Sequence, residues 1–383
     1  MCEILLRWGR LAAILGALSA CTSVPTPTAA PGQAAVEPAA PALLTPLERK
    51  RSRWLPVPFA DLPGWEQDRM SEAWPALRLG CARPPVDWAA FCRQALQPSV
   101  PLGDAAALRE WLQQRLQAYR VEALDGAGSE GLLTGYFEPQ IDAARQRSAL
   151  FRVPLHGPPP DLASRRPWWT RQQIDTLPAA QAALRGREIA WVADPLDALV
   201  LQIQGSGRLV LRAGNGGGTT RLVRAAYAGS NEQPYQSVGR WLIAQGELKP
   251  GEASWPAIRA WAERNPKRVN ELLWSNPRVV FFREEALPDP AQGPRGAQGV
   301  PLTPGRSIAV DPHSIPYGTP VWLASTEPLS NQPLQRLVMA QDTGSAITGA
   351  VRADYFWGWG ANAEAQAGRM KQPLRMWVLW PRR

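Results

Sequence analysis

Three aspartates near the C-terminal end carry the side chains and surroundings from which acid–base chemistry is built. Asp311 lies in IAVDPHSIPYGTPVWL, Asp342 in VMAQDTGSAITG and Asp354 in VRADYFWGWG. Each follows a short apolar run, so each is expected where a strand meets a turn. Closing or capping a turn is the commonest job of a lone aspartate there. Three of them in one β-rich stretch point beyond that job. The chain has only two histidines, His156 and His313, far apart in sequence. A multi-histidine metal centre or relay is therefore excluded, and a nucleophilic triad has at most one histidine to use. Proton transfer falls to carboxylates.

Two other uses of these aspartates compete. Asp342-Thr343-Gly344 matches the active-site turn of an aspartic protease, but that chemistry needs two carboxylates sharing one proton. No second such turn exists in the chain, so the protease reading needs a homodimer and ranks low. Carboxylate oxygens also suit hard cations. The spacing of a calcium loop is missing, and a bound cation would hold the acid deprotonated, so neither a metal nor a cofactor is expected.

The elements that must position these residues read as follows. Asp104 is a helix N-cap, after which Leu108, Trp111, Leu112, Leu116 and Tyr119 share one helical face. Extended runs are expected at 119–124 and 131–137, around a glycine-rich turn. Residues 139–200, rich in Pro, Arg and Trp, give no clear pattern. Residues 199–204 and 208–212 read as a hairpin around Gly205-Ser206-Gly207. Helices are expected at 235–245, 254–264 and 266–274, the last opening on Pro266. Short apolar or alternating runs at 279–282, 307–310, 320–323, 337–341 and 376–380, punctuated by Pro and Gly, suggest a β-barrel or sandwich.

Composition narrows the class. The chain has 383 residues, 45% hydrophobic, enough for one large or two smaller domains with a real core. It carries 18 Trp and 39 Pro. Trp offers core filling or the aromatic wall of a sugar-binding groove, and counting does not separate the two. The net charge of +9 is spread out, without the basic arm of a nucleic-acid binder, and suits an acidic polymer or anionic membrane.

The first 20 residues read as a secretory signal: Arg7 and Arg10 precede an apolar run too short to span a bilayer. The run ends in Leu18-Ser19-Ala20-Cys21, similar to a lipoprotein cleavage box, which implies lipidation of Cys21. Thr22 after the cysteine favours the outer membrane, with the protein on its periplasmic face. Residues 21–50 read as a Pro/Ala-rich tether that cannot bury enough apolar surface to fold. In that oxidising compartment Cys81 and Cys92 are preferred as a disulfide over a pair of buried thiols. Such a loop contributes about 3 kcal/mol in the chain-entropy model.

Six segments occur in one order that resembles the membrane-bound lytic murein transglycosylase A (MltA) family: LLTGYFEP at 132–139, LQIQGSG at 201–207, YAGSN and GRWLIAQGEL within 227–248, NPRVVFF at 276–282, GVPLTPGRSIAVD at 299–311 and DTGSAITGAVRADYFWGWG at 342–360. The resemblance implies a mainly β fold with flanking helices. A double-psi β-barrel domain, residues 51–138 and 276–383, would face a smaller inserted β-rich domain, residues 139–275, across a groove. It implies Asp354 as the catalytic acid and base, with Asp342 and Asp311 supporting. Thr134, Tyr136, Gln204, Gly205, Ser206 and Gly344 would meet the substrate, with backbone N–H groups near Gly344 or Gly358 facing developing charge. Many relatives carry Gly and Lys where this chain has Ser345 and Thr348.

The implied reaction cleaves the β-1,4 bond between N-acetylmuramic acid and N-acetylglucosamine in peptidoglycan, leaving 1,6-anhydromuramoyl ends. Tyr355, Phe356, Trp357 and Trp359 are candidates for the apolar surroundings that raise the acid's pKa. Peptidoglycan strands are the implied partner, with cell-wall synthesis or division proteins as further candidates the sequence does not identify. A non-catalytic peptidoglycan-binding lipoprotein is the alternative.

Overall fold

The computed structural model describes residues 45–126, 128–212 and 220–382. The expected signal, Cys21 and most of the tether lie outside the described residues. In chain order the strands are β1 (Leu47–Glu48), β2 (Ser52–Val57), β3 (Leu116–Ala123), β4 (Gly131–Glu138), β5 (Gln140–Ala144), β6 (Val153–His156), β7 (Glu188–Val192), β8 (Gly207–Leu211), β9 (Arg221–Ser230), β10 (Val280–Ala286), β11 (Ser307–Val310), β12 (Thr319–Thr326), β13 (Pro333–Asp342), β14 (Arg352–Trp359) and β15 (Lys371–Pro381).

The larger sheet runs β1-β2-β3-β15-β12-β13-β11-β14-β4, and β15 also pairs with β4. That extra pairing closes six strands into a barrel. β15 manages it by length: Lys371–Leu374 pair with β4, while Trp377–Pro381 pair with β3. Closure removes the unpaired edges an open sheet would expose. Residues 319–324 of β12 and 337–341 of β13 are mostly apolar and wholly buried. Such strands read as continuous apolar runs, which is why the sequence betrays them.

A second sheet runs β10-β9-β8-β5-β7-β6. β10, expected with the barrel, instead pairs antiparallel with β9. β1, at the end of the expected tether, pairs with β2, so the larger sheet begins before residue 51. The two sheets meet at a buried ion cluster. Glu138, at the end of β4, accepts from Arg208 Nε at 2.8 Å and Arg224 Nε at 2.5 Å. The guanidiniums also donate to the carbonyls of Pro290 and Gln292, and that of Arg208 lies 3.7 Å from the centre of the Trp359 ring.

One element differs in kind from expectation. Residues 199–204 are not half of a hairpin but the end of a helix, Pro195–Gln204. Asp194 caps it by accepting from the Leu196 N–H, Pro195 fits its first turn, and Gly205 ends it at φ +82°. The apolar run looked like a strand because this helix is covered on most sides. The segment 139–200 holds three short strands and helices Arg171–Thr176 and Pro178–Leu184. Four helices lie where expected: Ala105–Arg115 capped by Asp104, Val238–Ala244, Trp255–Arg264 and, after a single 3₁₀ turn, Val269–Trp274. The first is shorter than expected, because Leu116 and Tyr119 continue into β3, and helices Trp74–Cys81, Ala89–Ala95 and Ala361–Arg369 are additional to those expected. A disulfide joins Cys81 and Cys92, tying Trp74–Cys81 to Ala89–Ala95.

Trp is mostly core. Among the described residues nine Trp are buried, Trp54, Trp168, Trp322 and Trp380 among them. Trp168 and Trp169 stack edge to face beside Phe281 under the second sheet. Among the described residues no helix is long and apolar enough to cross a membrane.

Candidate active site

β14 runs parallel to β4, with Asp354 opposite Thr134 and Phe356 opposite Tyr136. Alternation along β14 turns Ala353 and Tyr355 into the core and leaves Arg352 and Asp354 half-buried on the other face. Asp354 therefore lies inside a strand, not at the strand end the sequence suggested. Asp342 is the last residue of β13, as expected. Both residues line one cavity of about 310 Å³, whose wall includes Thr134, Tyr136, Gln204, Arg352 and the loop Thr343–Ile347. That volume is in the range of small-molecule sites.

The three aspartates differ in what occupies their oxygens. Asp311 is buried and engaged at both: Oδ1 accepts from the His313 N–H at 2.9 Å, and Oδ2 from Gly349 N–H at 2.8 Å and Arg51 Nη1 at 2.9 Å. It does not line the cavity. Its bond to Gly349 steadies the loop that forms the wall, helped by Thr343 Oγ1 donating to the Val310 carbonyl at 2.8 Å. Asp342 is also engaged at both oxygens, by the Ala297 N–H at 2.9 Å and Tyr136 Oη at 2.9 Å. At Asp354, Oδ1 accepts from Thr134 Oγ1 at 2.6 Å. Its Oδ2 has no protein partner among the described residues. Arg352 Nη2 donates to the same Thr134 hydroxyl at 2.9 Å, which leaves that hydroxyl's proton directed at Asp354.

Burial sets the electrostatics. Protein surrounds both carboxylates except towards the cavity, and loss of water disfavours their charged forms. Burial pushes the Asp342 carboxyl up to about 6, against the backbone and Tyr136 hydrogen bonds that favour the carboxylate. Burial likewise raises Asp354, opposed by the Thr134 hydrogen bond and the Arg352 charge. The Tyr136 hydroxyl is raised well above its usual range by burial and by the two carboxylates. The cavity therefore holds a carboxyl with one oxygen free of protein hydrogen bonds beside a second carboxyl engaged at both oxygens.

The cavity brings together Asp354, Asp342, Thr134, Tyr136, Gln204 and Gly344. Gln204 is fixed by accepting from the Phe137 N–H at 3.1 Å, joining the helix Pro195–Gln204 to β4. Gly205 and Ser206 are not in the wall, because they follow the helix end. Gly358 and Trp359 are outside it too, and Trp357 turns its indole N–H to Met370 Sδ at 3.2 Å. Tyr355 and Phe356 are fully buried core residues. Sequence reasoning missed Arg352, although it sits two residues before Asp354 and so on the same strand face. It also missed Tyr235, Asn276 and Arg278 of the wall, which carry no local signal. Gly135 has a steric reason: a Cβ there would lie 2.8 Å from Trp357 Nε1 and 2.9 Å from Ala367 Cα.

A closed β-barrel carries two half-buried aspartates that face one polar cavity. Comparison with known proteins gives the family. Residues 132–283 match the model for the MltA specific insert domain, and residues 306–380 that for the 3D domain. Membrane-bound lytic murein transglycosylase A of Vibrio cholerae is 33% identical over 290 residues, 71% of this chain and 74% of that protein. The lytic transglycosylase LtgG of Burkholderia pseudomallei is 45% identical, with a TM-score of 0.58 over 86% of this chain and 96% of that one. Escherichia coli MltA with bound chitohexaose is 27% identical, with a TM-score of 0.66 over 86% of this chain and 95% of that one. The chain belongs to the membrane-bound lytic murein transglycosylase A family.

Proposed function

We propose that this protein is a peptidoglycan lytic transglycosylase in which Asp354 alone serves as acid and then base. One observation carries the assignment: of the three aspartates, Asp354 is the one with an oxygen open to the cavity. Asp342 and Asp311 have both oxygens engaged and act as supports. The same engagement argues against Asp342 as half of an aspartic-protease pair.

The substrate is the glycan strand, cut between N-acetylmuramic acid and N-acetylglucosamine. The chitohexaose bound by the Escherichia coli relative supports a β-1,4-linked amino-sugar strand as ligand. Asp354, its pKa raised by burial, gives a proton to the glycosidic oxygen as the bond to the anomeric carbon breaks. The C6 hydroxyl of the muramic acid attacks its own anomeric carbon, forming the 1,6-anhydro bridge. Its proton passes to the Asp354 carboxylate, which is thereby reset. A glycosidase that uses water needs two carboxyls. An internal nucleophile needs one, because the attacking group is already held beside its target. Thr134 fixes Oδ1, so Oδ2 is the oxygen that meets the substrate.

The remaining expectations belong to this reading. We read the closed barrel as a double-psi β-barrel, and the chain as a barrel part with an inserted part, β10 counted with the insert. Residues 1–20 are read as a lipoprotein signal and Cys21 as the lipid attachment site on the periplasmic face of the outer membrane. The Ser19-Ala20-Cys21 sequence and the relatives' description as membrane-bound support this. Mass analysis of products released from purified sacculi tests the activity. Fragments ending in 1,6-anhydromuramic acid are expected. Free reducing ends would mean a hydrolase, and binding without release a non-catalytic protein.

A further inference from the structure

A second cavity of about 370 Å³ adjoins the first, and Gly135, Gln204 and Tyr235 line both. Its charge is one-sided: Arg240 and Lys371 are in its wall, with no carboxylate. Arg240 comes from the helix Val238–Ala244 and Lys371 from the start of β15, so the cations approach from two elements far apart in the chain. Both are exposed, and neither forms a salt bridge among the described residues. The serine hydroxyls in the wall are already used, Ser237 accepting from the Arg240 N–H and Ser254 from the Ala257 N–H. Apolar surface comes from Phe137, Ile243 and Trp255.

Register gives the spacing. Thr134 pairs with Asp354 on one side and with Lys371 on the other. Two strand spacings separate Asp354 from Lys371, about 10 Å. An anionic group attached to the sugar held at Asp354 therefore falls within reach of Lys371.

We infer that this second cavity receives the acidic peptide stem of the muramic acid whose bond is cut. The inference rests on the proposed transglycosylase activity. The stem leaves that sugar two ring atoms from the anomeric carbon, so it must pass close to Asp354. Its free carboxylates meet Arg240 and Lys371, and its small apolar side chains meet Phe137 and Trp255. Strands carrying stems are then bound better than bare strands, and the cations set that preference.

The test compares soluble glycan strands with intact stems and the same strands stripped by an amidase, using the full chain and its Arg240→Ala/Lys371→Ala variant. The ratio of kcat/KM on stem-bearing to bare strands should fall about tenfold in the variant. An unchanged ratio, or an equal loss on both substrates, overturns the inference, the latter because the cavity would then be reading sugar. The charge-reversed variant Arg240→Glu/Lys371→Glu should lower the ratio further, and failure to do so also overturns it. Titration with a disaccharide-peptide reads the cavity without turnover: binding should weaken about tenfold in the alanine variant. If the unmodified chain makes no anhydro product yet binds the disaccharide-peptide through these cations, the activity reading has failed and the stem site stands.

Discussion

Asp354 and Glu138 sit on neighbouring strands of one barrel, each near an arginine and each withdrawn from bulk water, and their oxygens are held differently. Glu138 is buried at the joint between the sheets, with both oxygens held by Arg208 and Arg224. Buried and bonded at both oxygens, it presents neither of them to a ligand. Asp354 has one hydroxyl on one oxygen, and its nearest guanidinium, Arg352, reaches it only through Thr134. Holding both oxygens of a buried carboxylate makes a fastener; leaving one oxygen unbonded beside a cavity leaves an atom that can meet a ligand, which is what the proposed role of Asp354 needs. Residue type alone does not separate the two.

The sharpest break of the comparison on the fastener side is Glu138→Ala. It leaves two buried guanidiniums without their counter-charge and should cost about 3–5 kcal/mol. Urea unfolding measures it, and a loss below about 1 kcal/mol would mean the joint is not held this way.

On the reagent side, Thr134→Val removes the one donor to Asp354. Turnover should fall about tenfold, less than the roughly hundredfold cost of a fully misplaced acid. The Thr134 bond favours the carboxylate, so its removal raises the Asp354 pKa further. The alkaline limb of the pH–rate profile should therefore move to higher pH. A limb that stays put, or moves down, contradicts the assigned hydrogen bond.

A further test concerns Asp342. Its folded-state pKa of about 6 lies above the unfolded value near 4. Between those values the folded state binds more protons than the unfolded one, so stability falls as pH rises through that window. Melting temperatures between about pH 4 and pH 7 should show this slope, and Asp342→Asn should flatten it. An unaltered slope assigns the titration to another group.

What the sequence made legible follows the same physics. β12 and β13 were readable because burial on both faces demands apolar runs. The helix Pro195–Gln204 misled for the same reason, since its covered faces hid the helical period and only Asp194, Pro195 and Gly205 marked its ends. β5, β6 and β7 are four or five residues each, too short to show alternation among the prolines and arginines around them. The three aspartates were visible as residues, but their ranking depends on partners no local pattern reveals. Thr134 lies 220 residues from Asp354 and Tyr136 206 residues from Asp342. The tryptophans, open to either reading by count, resolve chiefly into core.

The central claim is that Asp354 alone moves the proton at the broken bond. Release of anhydro-muropeptides from purified sacculi by Asp354→Asn, set beside Asp342→Asn and the unmodified chain at equal folded concentration, tests it most directly. Asp354→Asn should still bind sacculi while release drops by about a thousandfold, the scale of a lost general acid, and Asp342→Asn should retain measurable release. Release by Asp354→Asn within about tenfold of the unmodified chain, or a complete loss confined to Asp342→Asn, would contradict it.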